Sequence, residues 1–157
     1  MGNIDFSRTA LSKTAATFIA TFLRFEFALK EAGFGPRNGA ALVEWGRVAN
    51  ELGPDFLKAV GASGRATTIL QKPPKKQITR EHSLEWDDAK ACSSVHDLVL
   101  ALQRVRNNLL HGGKSGDPDS KSADPARNET LIAEAQWVVE QALWRMDDVR
   151  MHFEGNY

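Results

Sequence analysis

Apolar residues recur at helical spacing along most of the chain, and no run alternates regularly enough to predict a half-buried strand. The first long segment opens between Ser7 and Ser12 and runs to Lys30 or Glu31, where Gly33 offers a stop. At about 100° per residue, Leu11, Ala15, Phe18, Ile19, Phe22, Phe25 and Leu29 share one broad face. A second helix is predicted from about Ala40 to Leu52, built on Leu42, Val43, Val48 and Leu52 and ended by Gly53. Pro54 then suits the first turn of a short helix, PDFLKAV, which Gly61 closes. From Ala62 to Trp86 the periodicity fails. Pro73-Pro74 excludes regular helix there, and the composition predicts a long mobile connection over 62–86.

Helical spacing returns strongly in SSVHDLVLALQRVRNNLLH, with Ser93 or Ser94 as N-cap and Asp97 in the first turn. Gly112-Gly113 stops it, and a polar stretch over 112–125 makes a second connection. The last helix begins near Asp124-Pro125 or Asn128 and reaches about Phe153, a length of about 26 residues or roughly 40 Å. Leu131, Ala135, Val138, Ala142, Met146, Val149 and Phe153 form its core face. These lengths and connections predict an all-α fold: an antiparallel up-and-down bundle of four main helices plus a short helix. One domain spanning residues 1–157 is expected.

Composition adds exclusions. Apolar residues are 42% and charged residues 25%, as in an ordinary globular chain, which argues against wholesale disorder. Twenty basic against twenty acidic side chains give a formal charge of zero, so any nucleic-acid binding must come from a local patch. A single cysteine, Cys92, rules out an internal disulfide and a cysteine-rich zinc site. No apolar run reaches the roughly 18 to 20 residues that cross a bilayer, and no signal-peptide pattern opens the chain. A cytoplasmic protein without membrane contact is the expectation.

Two charges break the helical pattern. On the third long helix Val95, Leu98, Val99, Leu102, Val105, Leu109 and Leu110 make a continuous apolar arc, and Arg106 lies inside it, whereas Arg104, Asn107 and Asn108 lie outside. On the first helix Glu26 projects between Phe22 and Ile19, again within the apolar face. A buried arginine is costly unless paired. Either Glu26 and Arg106 pair across the bundle, or each side chain snorkels past the edge of the core.

Five residues beyond Arg106 stands His111, at the helix end and before two glycines. A lone histidine near a helix C-terminus is commonly structural, favoured there by the helix dipole. Here arginine, two asparagines and histidine fall within six residues. The set offers a fixed positive charge, polar donors and a group that titrates near neutral pH, which suits a phosphodiester substrate.

At these residues the sequence resembles the HEPN superfamily of small helical domains found in prokaryotic toxins, defence effectors and RNA-processing ribonucleases. The family motif is an arginine followed after four to six residues by histidine, usually with a polar residue next to the arginine. In R106-N107-N108-L109-L110-H111 four residues intervene and Asn107 takes the polar position. Arg104 also satisfies the spacing, but Val105 follows it and it projects to the polar face. The stretch LRFEFALKEAGF is similar to the family's first helix, where an acidic residue often supports the motif, a role that falls to Glu26.

The resemblance implies metal-independent cleavage of RNA with no cofactor. The ribose 2′-hydroxyl attacks the adjacent phosphorus, leaving a 2′,3′-cyclic phosphate and a 5′-hydroxyl. His111 is then general base or acid, Arg106 stabilises the transition-state charge, and Asn107 orients substrate or histidine. On an ideal helix Arg106 and His111 project about 140° apart. Either the helix loosens at Leu110-His111, or the site combines two subunits, as HEPN ribonucleases do in a cleft at a twofold interface. The alternative is a catalytically silent HEPN-like module that dimerises or docks a partner such as an antitoxin or a nucleotidyltransferase.

A homodimer has some support in the last helix. Trp137, Trp144 and Met151 recur every seven residues opposite its core face, which makes either a subunit interface with the motif helix or a helix buried on both sides. Lys72, Lys75, Lys76 and Arg80 form the one local basic cluster. They either grip an RNA backbone or belong to a solvated loop, and Lys114, after the motif, is a weaker candidate of the same kind. His82, His96, His152 and Cys92 share no metal-ligand spacing, and Cys92 reads as a small core hydrophobe.

Overall fold

The computed structural model describes residues 2–7, 11–110 and 124–156, and within them the chain is mostly helical with one small two-stranded sheet. Helix α1 spans Lys13–Glu31, α2 Trp45–Ser63, α3 Thr67–Gln71, α4 Val95–Leu110, α5 Pro125–Arg145 and α6 Asp147–Glu154. Strands β1, Lys76–Arg80, and β2, Ser83–Asp87, lie between α3 and α4.

Helix α1 begins where Ser12 Oγ accepts the Ala15 N–H at 3.1 Å, and that hydroxyl also donates to Glu129 at 2.6 Å. It ends in a Schellman motif: Gly33 takes φ 88°, its N–H bonds Lys30 and the Phe34 N–H bonds Leu29. Its buried face is Ala15, Phe18, Phe22, Phe25, Ala28 and Leu29. Ile19 is half-buried, and Leu11, expected on that face, precedes the helix and lies exposed.

Helix α2 starts later than the sequence predicts. Residues 40–44 are not helical, and Leu42, expected in the core, is exposed. A tertiary bond fixes this segment, because the Glu44 N–H donates to the Phe34 carbonyl at 2.7 Å. The predicted stop at Gly53 is present as a break, with φ 73° and ψ 172°, and Pro54 restarts the helix. The second part passes Gly61 and ends at Gly64, which takes φ 69°.

Much of the connection expected as mobile over 62–86 is regular structure. The Glu134 carboxylate of α5 accepts the N–H groups of Thr68 and Ile69 at 3.2 and 2.7 Å and so caps α3. Pro73 and Pro74 are buried. Strands β1 and β2 pair antiparallel from Lys76 opposite Asp87 to Arg80 opposite Ser83. Their two-residue turn, Glu81-His82, has φ of 49° and 62°, the backbone of a type I′ turn without its usual glycine or asparagine. The double substitution Glu81→Asn, His82→Gly is expected to stabilise the fold by about 1 kcal/mol. Urea unfolding measures it, and a lower midpoint would show that the turn carries no strain.

Helix α4 is opened by Ser94, whose Oγ accepts the Asp97 N–H at 3.1 Å. Asp97 in turn accepts the Ser93 N–H and hydroxyl, which holds its carboxyl below the usual carboxylate range. This contribution is complete above the carboxyl's unfolded pKa and fades as pH falls through the lowered value. Val95, Leu98, Val99, Leu102 and Val105 are buried, Leu109 half-buried and Leu110 largely exposed. The predicted stop at Gly112-Gly113 and most of the 112–125 connection lie outside the described residues.

Asp124 caps α5 by accepting the Arg127 N–H, with Pro125 in the first turn. The single long helix expected to reach Phe153 is two helices, because Met146 breaks the spiral at φ −124° and ψ 81°. Asp147 and Asp148 give the new helix an acidic first turn. The break lets α6 lie on α1, where Arg24 donates to the carbonyls of His152 and Phe153 at 3.2 and 3.0 Å. One core joins all six helices, α3 contributing Ile69. No helix among the described residues is long and apolar enough to cross a membrane.

Candidate active site

The two charges that break the apolar pattern meet. Arg106 Nη2 lies 2.9 Å from Glu26 Oε1, and the side chains keep 20% and 15% of their exposure. Glu26 is carried one turn beyond Phe22 on α1, and Arg106 one position after buried Val105 on α4, so the packing of both helices sets the pair. The guanidinium carbon stands 5.3 Å from the Phe22 ring centre. That ring belongs to an aromatic cluster with Phe18, Phe25 and Trp45 at 5.5, 6.1 and 5.6 Å. Arg106 is thus fixed by a carboxylate on one side and a π-face on the other. Its Nε is buried without a hydrogen-bond partner among the described residues.

The neighbouring asparagines differ. Asn107 is half-buried with no side-chain hydrogen bond among the described residues. Asn108 Nδ2 donates to the Lys75 carbonyl at 3.1 Å and so ties the last turn of α4 to the base of the hairpin. His111 and Lys114 lie outside the described residues.

The basic cluster does not form one patch. Lys72, Lys75 and Lys76 sit at the base of the hairpin and Arg80 at its far end, about 13 Å along β1 from Lys76. Lys75 meets Asp88 at 3.4 Å and Arg80 meets Glu85 at 3.0 Å. Lys72 and Lys76 are exposed without an ion pair among the described residues. Sequence reasoning missed Arg127, whose Nη2 donates to the carbonyls of Lys72 and Pro73 at 2.9 and 3.0 Å. Its place in the first turn of a polar helix start gave no signal.

The Trp137, Trp144 and Met151 stripe is interrupted. Trp137 is half-buried beneath the Arg65 guanidinium at 5.0 Å. Trp144 is 67% exposed with Arg150 over its ring at 4.8 Å, and Met151 lies beyond the break on α6. Burial pushes the Cys92 thiol up to about 11, and Cys92 packs beside the core. Such a thiol is a poor nucleophile near neutral pH.

Comparison with protein-family models, with curated proteins and with solved structures finds no match for this chain.

Proposed function

We propose that the chain is a HEPN-type endoribonuclease, its helices forming the antiparallel four-helix bundle of that family and its site completed in a homodimer. The observation that carries this is the Glu26–Arg106 pair at 2.9 Å, which holds a guanidinium at the head of the RNNLLH motif. An arginine whose orientation is set before substrate arrives can meet the charge of a phosphorane-like transition state without reorganising. Part of the side chain stays open to solvent, as a phosphate contact requires.

In the proposed reaction the 2′-oxygen bonds to the adjacent phosphorus as the bond to the 5′-oxygen breaks. His111 takes the 2′-hydroxyl proton as base or supplies the proton that the departing 5′-oxygen needs, and Asn107 orients the partner. The products are a 2′,3′-cyclic phosphate and a 5′-hydroxyl, with no oxidant or metal consumed. DNA lacks the attacking group.

A second reading is a catalytically silent module that docks an antitoxin or a nucleotidyltransferase. The exposure of Trp144 favours it, as does the pairing of Lys75 and Arg80 with carboxylates. The two are separated by incubating purified protein with mixed RNA in EDTA. Cleavage leaving cyclic phosphate ends is expected, and Arg106→Ala and His111→Ala should each slow it by about 100-fold or more. No cleavage, or cleavage unaffected by both substitutions, ends the ribonuclease reading; cleavage abolished by EDTA ends the metal-independent route. A monomer in sedimentation at micromolar concentration ends the shared site.

A further inference from the structure

The geometry points to a phosphate-binding subsite for the RNA backbone in the cleft between the α3–β1 link and the first turn of α5. The inference rests on the ribonuclease reading for the identity of the strand. The cleft, about 380 Å³, is walled by Lys72, Pro73, Lys75, Asp88 and Arg127. Three cations face one carboxylate there, in a chain whose net charge is zero. A local excess of this kind attracts a polyanion where the molecule as a whole does not.

The cations stand on a braced segment. Arg127 holds the carbonyls of Lys72 and Pro73, Asn108 holds that of Lys75, and the two prolines between them are buried. A braced backbone leaves only side-chain freedom to be lost when these cations engage a ligand. Arg127 uses only Nη2 for its two bonds, and its remaining side-chain donors have no partner among the described residues. A guanidinium fork with spare donors matches phosphate oxygens.

Lys75 and Asp88 meet at 3.4 Å with side chains 48% and 88% exposed, a solvated pair that a phosphate can replace. Asn108 ties the Lys75 carbonyl to the last turn of α4, the helix that also carries Arg106, about 200° of rotation away from Asn108. A strand lying in the cleft sets a backbone phosphate against Lys72, Lys75 and Arg127. Contacts of this class position a strand without reading its sequence.

The test is binding of a single-stranded RNA with 2′-O-methyl riboses, which cannot react, followed by fluorescence anisotropy over a range of salt. Lys72→Glu and Lys75→Glu are each expected to weaken binding about five- to tenfold and to lower the slope of log affinity against log salt by about one. Asp88→Asn is expected to tighten binding about twofold, an effect of opposite sign that misfolding cannot mimic. Lys72→Gln should shift affinity in the same direction as Lys72→Glu by a smaller factor. Absence of binding, or unchanged affinity and slope in these variants, overturns the subsite. Equal affinity for polyglutamate of matched charge also overturns it, by assigning the cleft to an acidic protein. Failure of the two readings is distinguishable: these shifts with no cutting of unmodified RNA leave the cleft and remove the ribonuclease, while cutting without these shifts does the reverse.

Discussion

Glu26→Ala is expected to lower the free energy of unfolding by about 2 to 3 kcal/mol, and Arg106→Met in the same chain to recover most of that loss. Removing one member of a fully buried pair costs about 3 to 5 kcal/mol, because the partner charge is stranded away from water. Here the side chains keep 15% and 20% of their exposure, so solvent relieves part of that penalty. Methionine removes the stranded charge while filling a similar path beside Phe22. A double-mutant cycle in urea isolates the interaction. If Glu26→Ala changes stability by less than about 0.5 kcal/mol, the pair is an edge contact and the guanidinium is not held. On the proposed ribonuclease reading, the recovered double variant should not cut RNA, which separates holding the fold from the proposed contact with phosphate.

The largest loss of stability is expected at Phe22. Its side chain is fully buried, and it touches Phe18, Phe25, Trp45 and the Arg106 guanidinium at once. Phe22→Ala is expected to cost about 3 to 5 kcal/mol through lost transfer energy and the cavity left behind. For a domain of this size that is a fall in Tm of about 10 °C or more. Phe27→Ala is the matched control: Phe27 is on the same helix but partly exposed, under Arg24, and should cost about 1 kcal/mol or less. Calorimetry checks both. A Phe22→Ala loss no greater than that of Phe27→Ala would mean that the aromatic cluster does not organise the core. Trp45 stacks on Phe22, so its near-ultraviolet dichroism should change with the first substitution and not with the second.

What is legible in the sequence follows from where local periodicity and tertiary packing agree. Helices α1 and α4 repeat their apolar residues cleanly, so a charge inside either face stands out; spacing offers a Glu26–Arg106 pair beside the snorkelling alternative, and the packing decides for the pair. Gly53 and Pro54 can be placed because each carries a backbone requirement of its own. The hairpin lacks both signals. Its strands mix lysine, threonine, glutamate and aspartate, and its turn has neither glycine nor asparagine, so it depends on bonds from Asn108 and Arg127 that are distant in sequence.

The break at Met146 is hidden for a different reason. Met146 and Val149 continue the apolar spacing of α5 and are both buried, so periodicity runs on through a backbone that does not. Trp137 looks available in the sequence because Arg65, which lies over its ring, is far away in the chain. The site is legible as far as Arg106 and its carboxylate. Asn108 is not, because the same residue type either meets substrate or braces a backbone carbonyl.

The broken helix also changes what the C-terminal residues are. Eight residues of helix do not persist alone in water, so α6 exists only while α1 receives it. Arg24 closes that dependence by gripping the carbonyls of His152 and Phe153. The segment is less the end of a long rod than a removable keystone. Cutting the chain before Phe153 would not simply shorten it; it would remove a carbonyl that Arg24 grips and unseat α6 from α1.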